Sequence, residues 1–198
     1  MHCIYQLKIF LQFTFLLVVL ASGISNGQQN AIPPLLLDGF SLWRTGHDDV
    51  TEQLLPLKVD NGLTQENNTT VAHVKFIVKE YGELSFPIDP NTSLGEEARK
   101  VDLSKSRFVS ITYRANHEVV LQLRQTGVHG GVQNHVILPA SIKFVTRKVY
   151  FADFKGGRQP LDLTNVAKFN FAFLSNNARD GYAELVVKHF QIDQYHPQ

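Results

Sequence analysis

Apolar and polar side chains alternate along most of the chain after residue 70. Between Thr70 and Lys79 the apolar residues Ala72, Val74 and Phe76 occupy every second position. A period of two is typical of a strand with one buried face. The same alternation predicts strands at Leu84–Phe86, Arg107–Arg114, Glu118–Gln125, Val132–Leu138, Phe144–Phe151, Lys168–Leu174 and Tyr182–Ile192.

Turn-forming residues separate these strands, as at Asn176-Asn177 and at Gly156-Gly157. Many short strands at regular spacing, without a long helical segment, predict an all-β sandwich. One helical turn is predicted at Leu94–Lys100. The polar stretch Asp60–Thr70, which contains Gly62, is predicted to be a mobile loop.

The first 27 residues differ from the rest. One charged residue, Lys8, precedes an apolar run from Ile9 to Leu20, which is too short to span a bilayer. The run and the small residues after it are typical of a secretory signal peptide. We therefore predict a signal peptide at 1–27, a linker at 28–34, one sandwich domain at 35–193 and a tail at 194–198, with the mature protein exported.

Cleavage after Gly27 would remove the only cysteine, Cys3. The mature chain would then have no disulfide and no thiol nucleophile. The chain holds 19 Lys and Arg against 18 Asp and Glu, so it lacks the basic field expected of a nucleic-acid partner. Asn67, Asn68 and Asn91 match the N-glycosylation pattern, which matters only in a source that glycosylates exported proteins.

An ordered series of short motifs runs through the second half of the chain. Asp-Leu-Ser at 102–104 and Asp-Leu-Thr at 162–164 each precede a strand, and Leu37-Asp38-Gly39-Phe40 matches a usual first strand. The intervening motifs lie at 111–115, 121–127, 135–140, 149–154 and 183–187. From about Leu35 to Ile192 the chain resembles the carbohydrate-binding modules of bacterial glycoside hydrolases, the family 11 type in particular.

This resemblance implies a galactose-binding-like β-jelly-roll and a non-catalytic module that binds a polysaccharide of the β-glucan type. It also implies a secreted glycoside hydrolase or a cell-surface complex as partner. Two other functions stay open: a secreted protein-interaction module of the same fold, and a small glycan-cleaving enzyme. Cleavage would need two paired carboxyl groups, and the sequence gives no reason to pair any two.

Sugars are bound by aromatic faces and by planar polar groups, which a jelly roll can present on one outer sheet face. The outward positions include Thr112, Arg114, Gln122, Arg124, Gln133, His135, Lys148 and Tyr150. A simple hairpin would place Arg114 and Arg124 on neighbouring strands, on the same side. These outward polar residues form either a glycan-binding groove or an ordinary solvated sheet face. Arg114, Gln122, Arg124, His135 and Tyr150 are our candidate ligand-binding residues.

Two aromatic residues have more than one interpretation. Trp43, the only tryptophan, is a candidate stacking platform, helped by Tyr81 or Tyr182, but burial beside Phe40 is favoured because tryptophan is highly buried on average. Tyr113 shares the phase of Val109 and Ile111, so we expect it in the core.

The sequence requires no cofactor, and two metal sites were considered. His129 and His135 flank a Gly-Gly turn but lack a third ligand nearby in sequence, so loop and strand histidines are favoured. Asp38, Asp48, Asp49 and Asp193 could supply oxygen ligands to a structural calcium ion. The resemblance implies such an ion where the first and last strands meet, which makes Asp38 and Asp193 the candidate ligands; ordinary turn and cap carboxylates are the alternative.

Overall fold

A computed structural model describes residues 40, 42–57, 62–93, 96–128, 130–176, 178 and 181–197. The predicted leader, linker, Asp38 and His129 lie outside these residues. Eleven strands and two three-residue 3-10 helices form in the described part. The strands are β1 (Arg44–His47), β2 (Glu52–Leu55), β3 (Leu63–Glu66), β4 (Thr69–Ile77), β5 (Tyr81–Pro87), β6 (Phe108–Ala115), β7 (Val119–Gln125), β8 (Asn134–Leu138), β9 (Ser141–Tyr150), β10 (Val166–Leu174) and β11 (Ala183–Ile192).

The strands form two antiparallel sheets that pack into a jelly-roll β-sandwich, as predicted. The five-stranded sheet has the order β1-β5-β10-β7-β8, and the other has the order β2-β4-β11-β6-β9, with β3 paired to β4. The central strand of each sheet, β10 or β11, therefore comes late in the chain. Within the described residues, no helix is long and apolar enough to cross a membrane.

Aromatic side chains fill the space between the sheets. Strand β10 directs Phe169, Phe171 and Phe173 inward, and all three are fully buried. Phe86 of β5 and Phe190 of β11 meet across the core, with ring centroids 4.7 Å apart in an edge-to-face arrangement. Such pairs stabilise the core beyond the burial of their apolar area.

All eight strands that alternation predicted are present, within about two residues at most ends. The strands that alternation missed are the three short ones before β4. The prediction of a loop at Asp60–Thr70 was wrong, because Leu63–Glu66 is β3 and pairs with β4. Asn67 and Asn68 join them with φ angles of 49° and 61°, which suits a tight hairpin turn. The predicted helical turn does not form at 96–100, and Leu94 lies outside the described residues.

The predicted pairing of β6 with β7 was also wrong. The two strands are consecutive in sequence but belong to different sheets. Asn116, in the connection between them, accepts the Glu184 N–H on Oδ1 at 2.7 Å and donates from Nδ2 to the Tyr182 carbonyl. These bonds hold the connection against the start of β11 where the chain crosses from one sheet to the other.

Candidate functional site

A row of polar residues crosses the outer face of the five-stranded sheet, one from each strand. The strand register places Arg44 opposite Ser85, Ser85 opposite Asn170, Asn170 opposite Gln122, and Gln122 opposite His135. Adjacent strands are about 4.8 Å apart, so the row is about 19 Å long. We call the polar face the surface made by this row together with Tyr81, Glu83, Arg124 and Lys168.

Several side chains of the polar face are buried although they point away from the core. Asn170 is 2% exposed, Ser85 5% and Glu83 9%. The Asn170 Nδ2 donates to Gln122 Oε1 at 3.4 Å, while its Oδ1 is buried without a partner among the described residues. A buried acceptor without a partner costs about 1–3 kcal/mol, so a hydrogen-bond donor from outside would be favourable there.

The charged groups of the polar face form a partly buried cluster. The Tyr81 hydroxyl donates to Glu83 Oε2, and Lys168 Nζ lies 3.7 Å from Glu83 Oε1. Burial raises the pKa of Glu83, an effect that Lys168 and Arg124 oppose. Burial also lowers the pKa of Lys168. The positive charges of Arg124 and Arg44 lower it further, whereas the negative charge of Glu83 raises it. Desolvation therefore outweighs ion pairing for both groups.

Two clefts open onto the polar face and share Arg124. The first, of about 240 Å³, includes Arg44, Ser85 and Lys168 and is bordered by Thr92, Glu96, Glu97 and the turn at 126–128. The second, of about 210 Å³, is lined by Tyr81, Gln122, Gly130, Gly131, Gln133 and Asn170 besides Arg124. We call the two clefts together the groove; its lining combines polar side chains with apolar surface and includes Tyr81.

The structure divides the candidate ligand-binding residues between two faces. Gln122, Arg124 and His135 lie on the polar face. Arg114 belongs to β6 and Tyr150 to β9, both in the six-stranded sheet. The expectation that Arg114 and Arg124 share one side was wrong, because their strands lie in different sheets.

The two residues on the six-stranded sheet have partners of their own. Arg114 donates to Glu66 Oε1 at 3.0 Å, and its guanidinium lies over the Phe144 ring. Tyr150 is 49% exposed, and its ring meets Phe108 edge-on with centroids 5.8 Å apart. This outer face is a network of surface contacts within the protein.

Trp43 cannot stack on a ligand, because its side chain is fully buried. Its ring centroid lies 4.2 Å from that of Phe86, and its indole N–H donates to the Phe40 carbonyl at 2.8 Å. The ligand-binding interpretation of Trp43 was therefore wrong, and its burial in the core is confirmed. Tyr113 is also buried, as predicted, and its hydroxyl donates to the Pro139 carbonyl at 2.8 Å.

The residues considered for metal binding have other contacts. Asp193 accepts the Arg107 Nε–H at 2.9 Å, and this bond holds the pKa of Asp193 low. Asp48 accepts the backbone N–H groups of Val50, Thr51 and Tyr81. No group of three or more His, Cys, Asp or Glu side chains in the described part is arranged to hold a metal. With Asp38 undescribed, the calcium site stays a prediction.

Several residues of the polar face were missed by sequence reasoning. Arg44 belongs to a strand too short for alternation to reveal. Ser85 and Glu83 precede Pro87, and Lys168 and Asn170 alternate with the phenylalanines of β10. The asparagine between two core phenylalanines of β10 could have indicated a polar residue on the outer face. Its burial follows only once β10 is known to be the central strand.

Comparison with solved structures shows that this chain has the fold of carbohydrate-binding modules. The family 11 module of the cellulosomal cellulase Lic26A-Cel5E of Clostridium thermocellum is 13% identical, with a TM-score of 0.55 over 79% of this chain and 90% of that one. The family 30 module of the cellulase Cel9D-Cel44B of the same organism is 9% identical, with a TM-score of 0.56 over 79% and 93%.

A further structure is the family 11 module of C. thermocellum in complex with a β-1,3-1,4-mixed-linked tetrasaccharide. It is 15% identical, with a TM-score of 0.51 over 80% of this chain and 99% of that one. No protein-family model matches the chain. No curated protein matches it either. The structural comparisons thus show the jelly-roll fold of these modules, which the resemblance in sequence had implied.

Proposed function

We propose that this protein is a non-catalytic carbohydrate-binding module and that the polar face is its binding site. The observation that carries the proposal is the five-residue polar row, in which Asn170 and Ser85 are buried on an outward surface. Amide and guanidinium groups pair with sugar hydroxyls, which both donate and accept. The fold shared with carbohydrate-binding modules supports the proposal.

The shape of the groove supports an extended ligand. The row crosses all five strands, and a length of about 19 Å suits an oligosaccharide segment of a polysaccharide. Tyr81 is the aromatic residue of the second cleft, where its ring could pack against a sugar. Affinity would come from many weak polar contacts, so it should rise with glycan length.

Binding to a panel of soluble and insoluble polysaccharides tests the proposal. The matched variants are Gln122→Ala, on the polar face, and Gln191→Ala, which lies opposite Ser110 on the outer face of the six-stranded sheet. We expect Gln122→Ala to weaken retention about tenfold, the effect of losing roughly 1.4 kcal/mol, while Gln191→Ala binds normally. Thermal melting separates lost binding from lost folding.

Two results would overturn the proposal. One is the absence of retention on every glycan, which would favour a protein ligand. The other is an equal loss in both variants, which would remove the polar face as the site. Release of new reducing ends from a bound glycan would show that the protein is a glycan-cleaving enzyme and not a non-catalytic binding module.

We further propose that the protein is exported, supported by the charge and apolar pattern of its first 27 residues. N-terminal sequencing of the protein from the extracellular or periplasmic fraction should then start at Gln28. Retention of the intact leader in the cytoplasm would overturn export. A glycoside hydrolase or a cell-surface complex is the partner that the sequence resemblance implies for such a module.

A further inference from the structure

We propose that the polar face selects an anionic glycan, one whose sugars carry carboxylate or sulfate groups, over a neutral one. This inference rests on the proposed function. Its first support is the number of cations around the larger cleft, where Arg44, Arg124 and Lys168 meet. Lys168 lies directly opposite Arg124 in the sheet, and both arginines are close enough to lower its pKa.

These cations leave many hydrogen-bond donors unused. A guanidinium has five N–H donors and no acceptor. Arg44 donates to the Ser93 carbonyl at 2.5 Å, but its Nε is buried without an acceptor among the described residues. Arg124 lies close enough to Glu83 and Lys168 for its charge to act on the pKa values of both, but neither the ion pair of Glu83 nor the hydrogen bond of Gln122 involves it. The guanidinium groups of the cleft therefore have N–H donors that the described residues do not use.

Glu83 does not satisfy this surplus. Its carboxylate already accepts the Tyr81 hydroxyl and faces Lys168, and its burial disfavours the charge it carries. The charge of Arg124 opposes the rise in the pKa of Glu83 that burial causes. The two guanidinium groups of the cleft thus remain available to a ligand.

Two further carboxylates, those of Glu96 and Glu97, also line the larger cleft. Both residues are exposed, and Glu96 Oε2 accepts the Ser93 N–H at 3.0 Å. Water screens exposed charges strongly. A ligand anion over Arg124 would therefore be attracted by the half-buried cations more strongly than it is repelled by these two exposed carboxylates. The carboxylates should still reduce its affinity.

An acceptor-only group is the chemical complement of such a cleft. A carboxylate or a sulfate accepts two parallel N–H bonds from one guanidinium, and such charge-assisted bonds are about twice as strong as those to neutral groups. A neutral sugar hydroxyl forms the weaker bond with a guanidinium. The neutral β-glucan class expected from the sequence would leave the guanidinium groups without charged partners.

The test compares glycans that differ only in charge. One pair is cello-oligosaccharides and their C6-oxidised glucuronate counterparts, and another is galacturonate oligosaccharides and their carboxyl-reduced forms; a sulfated polysaccharide distinguishes sulfate from carboxylate as the anion. Titration calorimetry on the full chain should give an acidic member bound about tenfold more tightly, roughly 1.4 kcal/mol. The preference should shrink as salt is raised.

Arginine variants assign the preference to the polar face. Arg124→Gln should abolish the preference for the acidic member, whereas Arg114→Gln should keep it, although both variants lose one positive charge. Glu96→Gln combined with Glu97→Gln should change affinity in the opposite direction, strengthening acidic ligands and leaving neutral ones unchanged.

The outcomes separate this inference from the proposed function. Equal or tighter binding of the neutral members overturns charge selection and leaves the carbohydrate-binding function standing. Acidic binding that survives Arg124→Gln and is lost in Arg114→Gln moves the site to the other face and overturns both. Failure of every charged and neutral glycan to bind also overturns both.

Discussion

The outer faces of the two sheets carry similar charged side chains but surround them differently. On the six-stranded sheet Arg114 pairs with Glu66, and His73 lies 2.7 Å from Glu184. On the five-stranded sheet Arg124 has no such partner among the described residues, and Asn170 keeps a buried oxygen unpaired. Both faces keep buried polar atoms without a partner among the described residues, such as Arg114 Nε and Glu66 Oε2 on one and Asn170 Oδ1 on the other. The faces differ in that the outward arginine of the six-stranded sheet has an ion-pair partner.

This difference bears on how stability and function divide in the molecule. The ion pairs of the six-stranded sheet join side chains that are 19–34% exposed, and pairs open to water contribute about 0–1 kcal/mol each. Buried polar groups without partners lower stability, and Asn170 Oδ1 is such a group on the five-stranded sheet. A ligand that supplies the missing partners would recover part of that free energy, which agrees with the proposed site.

The largest expected effect comes from the layer beneath both faces. Trp43→Ala removes a fully buried ring packed on Phe86 and should lower the free energy of unfolding by about 3–5 kcal/mol. Urea unfolding measures the loss. In the wild-type protein, iodide quenching of tryptophan fluorescence should be weak and unchanged by glycan. Strong quenching relieved by glycan would place Trp43 at the binding surface and contradict its burial.

A smaller effect tests the cost of the polar face directly. Asn170→Leu removes the unpaired buried oxygen and should raise the free energy of unfolding by about 1 kcal/mol, while glycan binding is lost. Its counterpart Thr112→Val removes the hydroxyl that lies 2.8 Å from the Thr146 hydroxyl on the other face.

For Thr112→Val we expect a change within about 0.5 kcal/mol and unaltered binding. Urea unfolding and calorimetric titration on both variants provide the comparison. If Asn170→Leu were clearly less stable than wild type, the unpaired oxygen would not be a cost to the free protein.

The smallest expected effect is a pH dependence of opposite sign at the two sheets. The folded pKa of Glu83 is raised from its ordinary 4.5, so its contribution to stability is greatest below pH 4.5 and falls as pH rises through the folded pKa. The folded pKa of Asp193 is lowered from 3.8, so its contribution is present above pH 3.8 and falls as pH drops through the folded pKa.

Chemical unfolding at a series of pH values measures both slopes. Glu83→Gln should remove the decline above pH 4.5, and Asp193→Asn should reduce the decline below pH 3.8. Unchanged slopes in these variants would show that other groups control the pH dependence.

Sequence periodicity predicted the fold better than it predicted the site. Alternation tells which side chains of a strand face the core, so Tyr113 and the inward residues of β7 were placed correctly. It does not tell which sheet a strand enters, because β6 and β7 present the same phase whether they form a hairpin or cross between sheets. The crossing is accompanied by contacts between residues far apart in sequence, such as the bond of Asn116 to the start of β11.

The same limit explains the incomplete site. Gln122, Arg124 and His135 were found because outward polar residues are visible in any alternating strand. Asn170 and Glu83 acquire their role from burial between neighbouring strands, which depends on strand order. Arg44 joins the row through its register with Ser85, which no local pattern reveals.

The position of β10 and β11 has a consequence for how the protein folds during its synthesis. Each is the middle strand of its sheet, and both are synthesised after the other described strands. Until then each sheet exists as two separate fragments with unprotected edges, and non-local strand pairing of this kind folds on the millisecond-to-second scale. Exposed edges of this kind favour aggregation until β10 and β11 have joined the sheets.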